Sequence, residues 1–386
     1  MNALQMKMAE INKKFKADII NVGTDIIKVA KIPFSSPMAN YMTYGGIPVG
    51  KITEFYGGEG GGKTTSALDI VGNAQKKFQQ VYDDEIASIE SEIEVLQEKD
   101  TKDAKNKITK LQDKLADLEE SGPKQVVYID AEQTLDVQWA QLIGVDTESM
   151  ILVRPQEQTA EEILQIAIDL IATGNVGLCI LDSIPMLVSQ NILKESLEKK
   201  SYGGISQALT TFCSKVTPHL VQNQCAFIGI NQVREDISSM YNTESTPGGK
   251  MWKHACALRI RCKKDTYLDS NNGELSSKAE NPAGNRVTLE IRKTKVCKPD
   301  RRLGYYTLNY TTGIDVLNDS IQLAMQYNLI YKGGSWFSIL DENSEIKQKD
   351  GNPLKFQGIA KLINFLRENE DEKQDLLKRL EACTNE

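Results

Sequence analysis

Gly57, Gly58, Glu59, Gly60, Gly61, Gly62, Lys63 and Thr64 follow the order glycine, four residues of any kind, glycine, lysine, threonine. Glycines let successive backbone N–H groups turn inward and form a cradle for phosphate oxygens. Lys63 carries a charge to the terminal phosphates, and the hydroxyl of Thr64, followed by Thr65, suits a Mg2+ ion. Strand-like residues 51–56 precede the run and a helical pattern follows it. The chemistry this spacing supports is the binding of ATP with Mg2+.

Three further apolar stretches, 126–130, 178–182 and 226–230, run into polar residues. Asp182 closes the second and suits the same magnesium through water. Asp130 and Glu132 close the first. A carboxylate there lies beside the γ-phosphate and orients the attacking water, a role that fits Glu132, whereas capping a helix fits Asp130 better. Asn231 and Gln232 follow the third, where a side-chain amide senses the γ-phosphate.

These groups meet only if the strands that carry them end on one rim. Thr159 and Glu162 form a capping box ahead of Ile163, Ile166, Ala167, Leu170 and Ile171 at helical spacing, with Gly174 just past the end. Strands alternating with helices predict an α/β fold with a mainly parallel sheet covered on both faces. Ile89, Ile93 and Leu96, then Ile108, Leu111, Leu115 and Leu118, recur at threes and fours about a polar break at 100–103. That spacing predicts an inserted antiparallel coiled-coil hairpin at 82–122, with arms of roughly 25 Å. The predicted organisation is an N-terminal helix within 1–34, a core at 35–311, and a small C-terminal α/β domain with an acidic tail at 312–386.

The chain of 386 residues is 40% hydrophobic and 26% charged, the composition of an ordinary globular protein. No run of about 18 apolar residues is present, so no membrane span is expected. The polar first residues do not suit a signal peptide. Seven scattered cysteines include no Cys-x-x-Cys pair, which argues against a zinc ribbon and against a disulfide framework. A cytoplasmic location is expected. The net charge is −7, yet residues 83–120 alone hold 13 acidic and 6 basic side chains, whereas residues 250–302 hold 14 basic and 6 acidic ones. The local field therefore suits a polyanion although the average does not.

Gly46-Ile-Pro-Val-Gly50, the glycine-rich run, residues 129–132 with Leu135 and Asp136, Leu181-Asp-Ser183, residues 230–234, Gly248-Gly249 and residues 292–295 stand in one order along nearly the whole chain. Together they resemble the RecA family of DNA recombinases. The resemblance implies an ATPase core of that type, a polymerisation segment within 1–34, and a helical filament of copies on single-stranded DNA. It implies homologous pairing and strand exchange with double-stranded DNA, in recombination and repair. Among the residues, it implies that Glu132 is the catalytic glutamate and that Lys63 holds phosphate. Asp136 would hydrogen-bond adenine, and Trp139 would stack on the base in place of the tyrosine of the bacterial proteins. Gln232 would couple the γ-phosphate to DNA, and Lys293 and Lys295 would reach the ATP of the neighbouring subunit. Residues 194–204, with Lys199, Lys200, Gly203 and Gly204, resemble a first DNA loop. Residues 234–254, with Arg234, Gly248, Gly249, Lys250 and Trp252, resemble a second.

The acidic hairpin, a longer connection at 263–285 and a glycine triplet in the phosphate loop depart from the usual bacterial pattern and imply a divergent, phage-type member; they bear on its partners, a mediator or single-strand-binding protein, rather than on its chemistry. Two other readings remain open from the residues alone. One is a helicase or branch-migration ATPase of the same fold, and the other a nucleotide-gated scaffold that coats DNA and hardly hydrolyses ATP. The unit after Thr312 and the absence of a zinc finger weigh against the first; Lys63, Glu132 and Asp182 weigh against the second.

Overall fold

A computed structural model describes residues 3–15, 29–99, 101–193, 204–235 and 244–384. It divides into two compact units, 1–30 and 31–386. The first holds α1 (Ala3–Phe15), the polar helix expected at the amino terminus.

The second unit opens with β1 (Lys31–Ile32), α2 (Pro37–Thr43) and β2 (Ile47–Pro48). It continues with β3 (Ile52–Gly57), α3 (Lys63–Gln97), α4 (Lys102–Ser121), β4 (Gln125–Asp130), α5 (Val137–Ile143), β5 (Met150–Val153) and α6 (Ala160–Ala172). Next come β6 (Val176–Asp182), α7 (Gln190–Leu193), α8 (Gly204–Gln222), β7 (Ala226–Gln232), β8 (Arg234–Glu235), β9 (Glu244–Ser245) and α9 (Gly249–Ala255). A ribbon of β10 (Leu258–Leu268), β11 (Glu274–Leu275), β12 (Gly284–Thr294), β13 (Leu303–Asn309) and β14 (Gly313–Ile314) follows. The chain closes with α10 (Val316–Gln326), β15 (Ile330–Gly333), β16 (Trp336–Ile339), three short strands, α11 (Ile359–Glu368) and α12 (Glu370–Thr384).

The large sheet runs β14-β13-β12-β10-β3-β7-β6-β4-β5. From β10 to β5 every pairing is parallel, and from β10 to β14 every pairing is antiparallel. Parallel strands buried on both faces read as continuous apolar runs, which is why 126–130, 178–182 and 226–230 were legible as strands. One face packs on α3 and α5 through Ile70, Val71 and Ile143, and the other on α6 and α8 through Ile163, Phe212 and Val216. The capping box forms as expected, with Thr159 and Glu162 exchanging hydrogen bonds at the start of α6. A third core gathers Ile321, Phe337, Leu362 and Leu376 with Met38 of α2. Among the described residues no helix is long and apolar enough to cross a membrane.

The hairpin forms as α3 and α4. Its first arm is the unbroken continuation of the helix that starts at Lys63, because no proline interrupts it and Gly72 sits where a Cβ would meet the Gly144 carbonyl oxygen at 2.5 Å. Thr101 caps α4 by accepting from the Ala104 N–H, and Ile89, Ile93 and Ala104 are buried in the seam. Lys114 and Glu85 join the arms at 2.7 Å, but an exposed pair of this kind contributes only about 0–1 kcal/mol, so the seam holds the arms together.

Two buried carboxylates brace the unit. Asp69 of α3 accepts from the Ser35 N–H at 3.0 Å, and Asp319 of α10 accepts from the Thr307 N–H at 3.2 Å. Burial raises the first from an ordinary 3.8 to about 6 and the second to about 7. A carboxyl whose folded pKa is raised contributes stability that is complete below its unfolded pKa and is lost as pH rises through the folded value. Stability of the wild type should therefore decline between pH 4 and 7 more steeply than that of Asp69→Asn/Asp319→Asn, in urea unfolding across that window. Parallel curves for the two proteins would contradict this.

Candidate nucleotide and DNA site

At the end of β3, Gly57 is the only residue type that fits, since a Cβ would stand 2.1 Å from the Cys262 carbonyl oxygen. Gly62 adopts φ 85° as the N-cap of α3, which turns the loop into the helix with its first N–H groups facing outward. Lys63 Nζ spans the loop and donates to the Gly58 carbonyl at 2.7 Å. Thr64 Oγ1 donates to Asp182 Oδ2 at 2.9 Å, and the Tyr128 hydroxyl donates to the same oxygen at 2.7 Å.

Asp182 is almost wholly buried, and burial pushes its carboxyl up to about 6 against those two hydrogen bonds. Its Oδ1 is buried with no hydrogen-bond partner among the described residues. Such an oxygen beside a threonine hydroxyl at the mouth of a phosphate cradle fits a hydrated divalent cation.

Glu132 stands next to it. Its Oε1 accepts from Ser183 Oγ at 2.5 Å and from Gln232 Nε2 at 3.4 Å. The N–H groups of Ala131 and Glu132 both donate to the Asp182 carbonyl, which clamps the ends of β4 and β6 together. Asp130 does not cap a helix as expected: its carboxylate accepts from the N–H groups of Thr134 and Leu135 in the turn after β4, with Arg154 Nε at 3.7 Å, and the cap of α5 is Asp136. The register pairs Gly57 with Gln232 and Asp130 with Asp182, so all of these groups share the carboxyl rim.

A cavity of about 300 Å³ opens beside the loop, lined by Gly60 to Thr65, Trp139, Lys264, Asn285, Val287, Leu308 and Tyr310. Trp139 comes to this lining from α5, and Lys264, Asn285, Val287 and Leu308 come from β10 to β13. Asp136 is exposed and caps α5 through the Trp139 N–H at 3.1 Å.

The family model for the RecA N-terminal domain matches residues 2–92 and 96–315. The chain belongs to the RecA family. It is 27% identical to Protein RecA of Clostridium acetobutylicum over 96% of this chain and 92% of that one. It is 28% identical to Protein RecA of Clostridium novyi, over 96% and 87% of the two chains, and to that of Mycolicibacterium vanbaalenii, over 98% and 90%. The activity that goes with RecA membership is that of a DNA-dependent ATPase in recombination and repair, with ATP and Mg2+ as cofactors.

Other residues assigned from the RecA resemblance fall elsewhere. Lys293 and Lys295 lie at the opposite end of the sheet from Gly57. Lys293 is in register with Arg259, which is in register with Glu54, roughly 10 Å back along β3. Both amines point to the carboxyl end of α9: Lys293 Nζ donates to the Lys253 and His254 carbonyls, and Lys295 Nζ to that of His254 at 2.8 Å. Burial, with Lys295 adjacent, lowers the Lys293 pKa. The fold therefore does not bring these lysines to the phosphate loop of their own chain.

Lys199, Lys200 and Gly203 lie outside the described residues. Gly204 opens α8, where a Cβ would stand 2.0 Å from Ser189 Oγ. Arg234 is exposed on β8, which pairs with β9 as the stem of the second loop. Gly248, the N-cap of α9, and Gly249, its first residue, take φ 104° and 77°, and Lys250 is exposed. Trp252 does not belong with them. It is fully buried, its Nε1–H donates to Glu54 Oε1 at 2.9 Å, and its ring meets Phe227 edge-on. The first turn of α9 directs it inward, so it is a core residue and no DNA contact.

Sequence reasoning also missed Tyr128, Ser183, Lys264, Asn285 and Tyr310. A lone tyrosine in an aliphatic strand marked the first, and Ser183 was visible only as part of a motif. The last three come from the antiparallel ribbon, with Tyr310 OH donating to Asn285 Oδ1 at 2.8 Å, and no local spacing announces them.

Glu132→Gln should leave ATP affinity near that of the wild type and slow hydrolysis by roughly two orders of magnitude, as loss of a general base does. Single-turnover hydrolysis beside a binding titration checks this; normal turnover with weakened binding would contradict it.

Proposed function

We propose that the chain polymerises on single-stranded DNA when ATP is bound, and that the filament pairs homologous duplex and exchanges strands. The observation that carries this reading is the contact of Gln232 with Glu132: one amide at the root of the second DNA loop touches the carboxylate facing the γ-phosphate. In this reading Glu132 takes the proton of the attacking water, and Lys63 swings from the Gly58 carbonyl to the phosphates. Thr64 and Asp182 would hold Mg2+, which would supply positive charge against the phosphate oxygens. Trp139 stacks on adenine, and Asp136 offers a carboxylate to its edge. Gln232 reports the γ-phosphate to the loop at 234–254. Exposed Arg234 and Lys250 with the amides of Gly248 and Gly249 serve phosphates there, as Lys199, Lys200, Gly203 and Gly204 do in the first loop.

Self-assembly completes the site. Because Lys293 and Lys295 face away from their own phosphate loop, they act on the ATP of the adjacent copy, where cationic side chains stabilise the charge of phosphoryl transfer. Edge strand β5, with Ile151 and Leu152 exposed, offers unpaired backbone for an extended segment of another copy. The acidic hairpin, repelled by DNA phosphates, decorates the outside and serves a mediator or single-strand-binding protein.

Exchange between a labelled single strand and duplex DNA tests the function. It should require ATP, Mg2+ and homology; unwinding of forked duplexes without homology would instead mark a helicase. The trans role has its own test. Inactive Lys63→Ala protein mixed with inactive Lys293→Ala/Lys295→Ala protein should regain ATPase activity at mixed junctions. Mixed filaments whose activity never exceeds the sum of their parts would rule it out.

A further inference from the structure

Glu54 lies on β3 just ahead of the phosphate loop, and its side chain is fully buried. A buried carboxylate persists only with donors around it, and for stability alone a well-packed apolar side chain serves as well or better. Its neighbour Phe55 shows that the strand accommodates such residues. Three elements supply the donors. Asn231 of β7 gives Nδ2–H to Oε1 at 2.8 Å, and Trp252 of α9 gives Nε1–H to the same oxygen at 2.9 Å. Arg259 of β10 pairs with Oε2 through Nε.

Each partner then reaches further. Asn231 Nδ2 also donates to the Pro247 carbonyl at 2.9 Å, and the Arg259 guanidinium donates to Thr246 Oγ1 at 3.2 Å. These two residues connect β9 to the glycine pair that opens α9, so they form the descending end of the second loop. On the nucleotide side, the Gln232 N–H donates to Asn231 Oδ1 at 3.0 Å, and the Arg259 guanidinium lies 4.8 Å from the centre of the Tyr56 ring, the residue before Gly57. One carboxylate thus ties the strand under the phosphates to both ends of the loop.

We propose that Glu54 is a positioning residue that couples the phosphate loop to the stem of the second DNA loop, so that DNA affinity follows the bound nucleotide. This rests on the reading of that loop as DNA-binding and of residues 57–65 as the ATP site. The carboxylate acts through geometry. Its hydrogen bonds are directional and the carboxylate itself is fully buried, so a displacement of β3 or of Asn231 is passed to Thr246 and Pro247 rather than absorbed in loose packing.

Full-length Glu54→Gln keeps the shape and one acceptor of the side chain and removes its charge. Affinity for an oligo-dT strand, by fluorescence anisotropy with a non-hydrolysable ATP analogue and with ADP, gives the ratio that measures coupling. That ratio should fall by about tenfold, the scale of ordinary coupling between sites, while affinity for the analogue itself stays near wild type. If Arg259 left unpaired prevents folding, Trp252→Phe removes only the Nε1–H donor, and its ratio should fall in the same direction by a smaller factor. A folded variant with a lowered Tm and an unmoved ratio shows a merely structural role and overturns the proposal. A wild type whose DNA affinity ignores the nucleotide overturns the recombinase reading itself, and the coupling role falls with it.

Discussion

Asp130, Glu132 and Asp182 bring three carboxylates to one corner of the sheet, where β4 and β6 end side by side. Two of the three are almost wholly buried, and burial holds the Asp182 carboxyl at about 6. Negative charge crowded into a dry corner has to be answered by donors and cations. Within the chain Thr64, Tyr128, Ser183 and Gln232 answer part of it, each from a different stretch of sequence. The unpartnered Asp182 Oδ1 marks what is left over. A divalent cation would meet that demand, and the glycine loop and Lys63 face the same corner.

That requirement fixes the orientation of the strands. Parallel pairing from β10 to β5 puts every strand end that carries chemistry on one rim, and the crossover helices cover both faces. The same sheet then changes to antiparallel pairing, and this ribbon returns with Asn285, Val287, Leu308 and Tyr310 to wall the cavity beside the loop. The return also carries Lys293 and Lys295 to the far end of the sheet. A chain built in this way has its phosphate cradle and its two lysines on opposite sides, an arrangement that suits stacking of copies head to tail.

What was legible in the sequence was local. The glycine-rich loop, the capping box at Thr159 and Glu162, the apolar strands and the seam of the hairpin each declare themselves within a few turns of chain. The limits were non-local or directional. Nothing near Tyr310 or Asn285 tells that they stand beside Gly62, because the ribbon that brings them there is set by pairing across the whole sheet. Trp252 was expected at DNA only because residues 234–254 resemble a DNA loop; the turn at Gly248 and Gly249 sends it inward instead, onto Glu54.

The claim at the centre is that nucleotide bound at this negative corner governs assembly on DNA. Negative-stain microscopy of the protein on single-stranded DNA, with Mg2+ and either a non-hydrolysable ATP analogue or ADP, tests it most directly. Continuous helical filaments with the analogue and none with ADP are the predicted result. Closed rings, or filaments indifferent to the nucleotide, would contradict the account.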